Sequence, residues 1–236
     1  MKSKINKRIK SRLTKAYRNQ IARQVVRMSN RDIWNECSVL PKICSNDKLF
    51  SVGDVNDPIL NKGLSLNLQS YQDGYIGTAI TLLDLIKISK SIQIKDSYIY
   101  VALFCFRQYV ELTIKDSLMA YHSTGINVQS MGHNILEAYD ELMKISLIEK
   151  DNQSEGVRDM LNSLCGIDPS GTVFRYGYKI NSRNGKLSST YNSRRGFISV
   201  RRLRMCMLQM YDFFEGISWM IYDNKQNQIQ NNKQIN

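Results

Sequence analysis

Apolar positions recur at helical spacing through most of the chain. Between residues 66 and 90 they fall at Leu68, Tyr71, Tyr75, Ala79, Leu82, Leu83 and Ile86, which predicts an amphipathic helix. Residues 95–121 predict a longer one. Asp96 can cap it, and Tyr98, Leu103, Phe106, Val110, Ile114 and Leu118 keep the period. Gly125 opens a loop, and His133 and Asn134 lead into a third helix with Ile135, Leu136, Tyr139, Leu142 and Met143 facing inward. Residues 154–165 predict a short fourth helix, stopped by Gly166 and Pro169. From Ile198 to Tyr222, Val200, Leu203, Met207, Met210, Phe214, Ile217 and Ile221 mark the face of a last helix.

The remaining stretches differ. Residues 30–63 hold Pro41, Pro58 and Gly53 among several Asn and Asp, a loop-rich connection. Between 170 and 195, Gly171, Gly177 and Gly185 punctuate short β-prone runs, which suits a β-hairpin or an ordered excursion between helices. Nine of the thirteen residues from Asn224 to Asn236 are Asn or Gln, so a disordered tail is expected. Residues 3–28 predict a helix, with Ile5, Ile9, Leu13, Ala16, Ile21 and Val25 on one stripe and bases on the other faces. The expected architecture is an all-α bundle around one core. Its divisions are a basic amphipathic arm at 1–30, a loop-rich connection at 31–65, a helical domain at 66–223 and a tail at 224–236.

Composition agrees with this. Of 236 residues, 42% are hydrophobic and 23% charged, a globular balance, and 3 Pro with 13 Gly are too few breakers for an all-β fold. Charge changes the picture more. The net +12 is concentrated: residues 1–28 carry +10 and residues 194–204 carry +5, both without an acid, so the rest sums to −3. Two basic segments on a near-neutral body point to a polyanionic partner. The arm reads equally as a solvated helix packed on the body or as a grip for RNA, DNA or an acidic protein. No stretch approaches the ~20 apolar residues of a membrane span; the longest run, Tyr98 to Phe106, ends at Arg107. No signal-peptide core is present, and a mitochondrial presequence is matched only loosely. Five scattered cysteines, Cys37, Cys44, Cys105, Cys165 and Cys206, suit a reducing cytoplasm. Two His without a Cys/His cluster argue against structural zinc.

The residues that could carry chemistry lie between Leu103 and Leu142. Arg107, Glu111 and Lys115 share one stripe of a helix whose other sides are apolar, with Gln108 beside them. They can simply pair with one another, but a charged stripe on a central helix also calls for a partner surface. His133 stands at a helix start, where backbone N–H groups favour the neutral imidazole, able to act as a base or as a cap. Tyr176, Tyr178, Tyr191 and Phe197 lie close in sequence to Arg201, Arg202 and Arg204. Aromatics among Arg suit single-stranded RNA, and a hairpin packed on the bundle explains them as well.

Phe106-Arg107-Gln108-x-x-Glu111-x-x-x-Lys115, followed by Gly132-His133-Asn134-Ile135-x-x-x-Tyr139-x-x-Leu142, resembles the HEPN superfamily over roughly residues 66–222. Phe174-Arg175-Tyr176-Gly177 resembles the family's Arg-Tyr-Pro step, with Gly in place of Pro. The resemblance implies an all-helical, cytoplasmic, dimeric effector of bacterial toxin or antiphage systems. It would act on RNA without metal or cofactor and alongside an operon-encoded partner protein. It implies catalytic roles for His133, Arg107 and Glu111. RNA or phosphate contacts would fall to Lys115, Gln108, Arg175, Tyr176, Arg201 and Arg202. Active members carry an Arg, then four to six residues, then the His, and neither His122 nor His133 has an Arg four to seven positions before it. Either the site is rebuilt from separated residues, pairing His133 with Arg107 or Arg175, or the domain binds nucleic acid, nucleotide or protein without cleaving.

Overall fold

In the computed structural model, residues 68–121, 131–146, 151–180, 187–189 and 197–235 are described. All belong to one compact unit, Leu68–Asn236. The arm at 1–30, the connection at 31–65 and His122 lie outside the described residues. Five helices form where the apolar periods place them: α1 (Leu68–Ile88), α2 (Ile92–Tyr121), α3 (Ile135–Ile145), α4 (Asn152–Ile167) and α5 (Val200–Ile235). The fold is all-α.

Helix ends are set by local side-chain chemistry. α2 begins a turn earlier than Asp96 would allow, because Ser91 Oγ accepts the Ile94 amide at 3.3 Å and caps it instead. Asn134 caps α3 by accepting from the Glu137 amide at 3.3 Å. Asp151 and Ser154 form a reciprocal capping box on α4, at 2.8 and 3.0 Å. Gly166 does not stop α4, since a lone Gly costs only about 1 kcal/mol in a packed helix. The helix ends at Ile167, where Pro169 disfavours helical backbone for Asp168. The tail expected to be disordered is corrected as well: α5 continues through Ile235. No Gly or Pro follows Gly216, and the Gln and Lys of this stretch are fair helix formers.

α2 is the central element, packing against α1, α3 and α5, while α4 packs on α3. The core between them holds Leu83, Ile114, Leu118, Leu142, Met207 and Phe214, all almost wholly buried. Burying each such side chain contributes about 1.5–3 kcal/mol. Phe214 meets Tyr139 edge-on, with ring centroids 6.4 Å apart. Polar ties fix the helix register. Gln72 donates to Asp116 at 3.1 Å between α1 and α2, and Arg204 grips Asp84 at 2.7 and 3.2 Å between α5 and α1. The excursion before α5 contains an antiparallel pair, β1 (Tyr178–Ile180) and β2 (Leu187–Ser189), with Tyr178 opposite Ser189. Among the described residues no helix is long and apolar enough to cross a membrane.

Candidate functional site

The charged stripe of α2 closes on the turn that precedes α3. Spacing of four residues stacks Arg107, Glu111 and Lys115 along one side of the helix. Gly132 takes φ +55°, a left-handed conformation natural to glycine. In this turn the carbonyls of Gly132 and His133 both accept from α2 cations. Lys115 Nζ donates to Gly132 O at 2.6 Å, and Arg107 Nη2 donates to His133 O at 2.6 Å.

Glu111 is the hub. Its Oε2 accepts from Arg107 Nη1 at 3.0 Å and its Oε1 from Lys115 Nζ at 2.7 Å. The His133 ring completes the set, with Nδ1 2.9 Å from Oε1 and 3.2 Å from Oε2. Burial pushes the Glu111 carboxyl up. The hydrogen bond and charge of Lys115, the His133 hydrogen bond and the Arg107 charge outweigh that, leaving it below its ordinary value. Exposure rises outward across the cluster: the side chains are 0% exposed at Arg107, 8% at Glu111, 22% at Lys115 and 61% at His133.

This gradient assigns roles. A carboxylate only accepts, so Nδ1 of His133 carries the proton. Whenever the ring is neutral, Nε2 is then its acceptor face, and Nε2 makes no hydrogen bond among the described residues. The ring's neighbour is thus a carboxylate, not the backbone N–H groups that its place at a helix start suggests. Arg107 is fully buried with both Nη atoms engaged, so it positions Glu111 and the His133 backbone and does not itself present a cation to a surface phosphate. Lys115 has three N–H donors and uses two inside the cluster.

The other expected residues lie apart from this hub. Gln108 is half-buried on α2 and makes no hydrogen bond to the cluster among the described residues. Arg175 does not join His133. Its guanidinium lies 4.9 Å over the exposed Tyr176 ring and donates to Tyr176 Oη at 2.8 Å. Arg201 and Arg202 are exposed at the start of α5.

Two features escape sequence reasoning. Gly132 gives the turn its left-handed residue, and the Gly-His-Asn triplet was the available signal. Asp168 is fully buried and accepts the Val173 amide at 2.9 Å, holding a turn whose Gly171 lies against Arg107; a Cβ there would stand 3.9 Å from Nη2. Only the Asp-Pro-Ser-Gly turn composition hinted at it.

Among the described residues no group of His, Cys, Asp and Glu could hold a metal ion. A shallow pocket of about 610 Å³ flanks the turn, lined by Met131, Asn134, Glu137, Asp140, Glu141 and Lys144. Its acidic wall disfavours a polyanion on that side. Comparison of the chain with protein-family models, curated proteins and solved structures finds no match in any of the three.

Proposed function

We propose that the chain is a HEPN-like effector that cleaves RNA without a metal ion, with His133 as the proton-transfer group. One observation carries this reading: an exposed imidazole whose Nδ1 is held 2.9 Å from a buried carboxylate. A carboxylate behind a histidine fixes the tautomer and stabilises the imidazolium that forms during proton transfer. Nε2 would take the proton of a ribose 2′-OH. The resulting oxygen attacks the adjacent phosphorus, the P–O5′ bond breaks, and the leaving 5′-oxygen takes up the proton that the His133 imidazolium has gained, which restores the neutral ring. The products end in a 2′,3′-cyclic phosphate and a 5′-OH. The remaining N–H of Lys115, one of the phosphate contacts that the sequence resemblance implies, supplies the cation for the phosphate. In this reading the effector belongs to a bacterial toxin or antiphage system, works in the cytoplasm as a homodimer, and answers to an operon-encoded partner.

Incubation of the purified chain with RNA in EDTA tests this. The expected product ends in a 2′,3′-cyclic phosphate, and His133→Ala slows its formation by about 10²–10⁴-fold. A second reading is favoured by the complete burial of Arg107: a non-catalytic HEPN-like module that binds nucleic acid, nucleotide or a partner protein. Equal inertness of wild type and His133→Ala on varied RNAs would decide for it.

A further inference from the structure

Two ties fix the direction of α5 in the bundle. Near its start, Arg204 grips Asp84 in the last turns of α1, at 2.7 and 3.2 Å. Two turns on, Tyr211 meets Tyr109 of α2, with ring centroids 6.0 Å apart. Farther still, Glu215 feels the charge of Asp73, near the beginning of α1. α5 therefore runs against α1 and along α2. Its start lies at the bundle end where α1 finishes and α2 begins, joined there by Ser89, Lys90 and Ser91.

That end combines apolar tips with unneutralised cations. Ile88 closes α1, Ile92 opens α2, and Phe197 and Ile198 precede α5. All four are exposed, Ile92 over 73% of its surface and Phe197 wholly. Lys87, Lys90, Lys95, Arg201 and Arg202 surround them, exposed and without an ion pair among the described residues. The acids of residues 84–96 and 197–205 are Asp84 and Asp96, and Arg204 already neutralises Asp84. α2 and α5 both direct the positive ends of their macrodipoles here. An anionic surface would relieve this accumulation of positive charge.

The apolar tips decide what kind of surface. Ile88, Ile92 and Ile198 cannot stack on a base or donate to a phosphate, so they have no use on RNA. In water they are a cost. In the headgroup and acyl boundary of a bilayer they are buried, while Lys and Arg extend to the phosphates. We infer that this end of the bundle docks the protein on an anionic phospholipid bilayer. Ile92 and Phe197 enter the interface, and the surrounding Lys and Arg lie on lipid headgroups. The contact is peripheral, because among the described residues no helix can cross a membrane. None of these residues takes part in the hub around Glu111, so the inference goes beyond the His133 reading and does not depend on it.

The test is sedimentation of the full-length protein with sucrose-loaded vesicles of phosphatidylcholine and phosphatidylglycerol in equal parts. Wild type should pellet with these vesicles and not with phosphatidylcholine alone. The double change Ile92→Gln, Phe197→Gln should weaken partitioning by about 100-fold, at about tenfold per apolar side chain withdrawn from the interface. Lys87→Gln with Lys90→Gln should weaken it by about 25-fold, at about fivefold per cation. All four positions are exposed, so both pairs should melt like wild type. Unchanged partitioning in either pair would overturn the inference; a loss confined to the lysine pair is the general attraction of a basic chain for anionic lipid. Absence of wild-type binding would overturn it too. So would an equal loss by the Ile92, Phe197 pair on a labelled oligouridine strand, which would make this end a nucleic-acid face. The ribonuclease reading fails separately: wild type then yields no cyclic phosphate in EDTA while the vesicle result stands.

Discussion

Glu111→Gln is the most informative single change in the cluster. It removes one negative charge while keeping size and one acceptor oxygen. Arg107, whose side chain has no exposure, then loses the carboxylate that its Nη1 reaches at 3.0 Å. Removing one partner of a buried pair costs about 3–5 kcal/mol, because the other charge stays buried without compensation. The new amide N–H₂ also faces donors at His133 Nδ1 and Lys115 Nζ, so part of the hub becomes repulsive. For a domain of this size, such a loss lowers Tm by about 6–20 °C. The effect depends on pH in a definite sense. The Glu111 carboxyl is depressed in the folded state, so its contribution is present above the unfolded carboxylate value near 4.3 and is lost as pH falls through the lower folded value. Urea unfolding at pH 7 and in acid checks both parts: the gap between wild type and variant should be wide at pH 7 and narrow as pH falls through the lowered folded value. A gap under about 1 kcal/mol at pH 7 would refute the hub.

Other changes separate stability from function. His133→Ala should alter unfolding by no more than about 0.5 kcal/mol, since its ring is largely in solvent, while slowing the proposed cleavage in the EDTA assay by about 10²–10⁴-fold. Gly132→Ala should cost about 1–2 kcal/mol by thermal melting, as φ +55° is strained for any residue with a Cβ. Phe214→Ala should cost about 3–5 kcal/mol in the same experiment, from a cavity against Tyr139. Glu215 has its carboxyl raised by burial and by the charge of Asp73, so its contribution is present in acid and lost as pH rises. Glu215→Gln should therefore raise Tm at pH 7 and leave it unchanged near pH 3.

The helices were legible because burial demands a 3.6-residue period, and Leu83, Ile114, Leu142 and Phe214 all fall where that period puts them. Their ends were less legible, because caps compete locally. Asp96 and Ser91 both suit a cap, and only the backbone path chooses Ser91. The stripe Arg107-Glu111-Lys115 was visible as a stripe, since spacing alone determines it. Its closure was not. Which carbonyls Arg107 and Lys115 reach depends on the left-handed turn at Gly132, 17 residues beyond Lys115. The same long-range closure buries Arg107 and sends the exposed end of the gradient to His133, so the residue most like a phosphate ligand in sequence is the one farthest from solvent.

That inversion bears on how loss-of-function data from this site are to be weighed. Arg107, Glu111 and Lys115 hold the turn as well as the contact to His133, so substituting any of them would alter the turn and the proposed chemistry together. Inactivity in Arg107→Ala would not identify a phosphate ligand, because the buried Glu111 left behind destabilises the turn that carries His133. Lys115→Met separates the two roles better. It keeps the apolar stem over the cluster but removes the donor to Gly132 O and the only partly exposed cation. If Lys115 serves the phosphate, Lys115→Met should lower kcat while His133 is ethoxycarbonylated by diethyl pyrocarbonate at the wild-type rate. If it serves only the turn, the modification rate of His133 and the melting temperature should change together with activity. Equal activity with a lowered Tm would exclude Lys115 from the chemistry and leave the cation role to Arg175, Arg201 or Arg202.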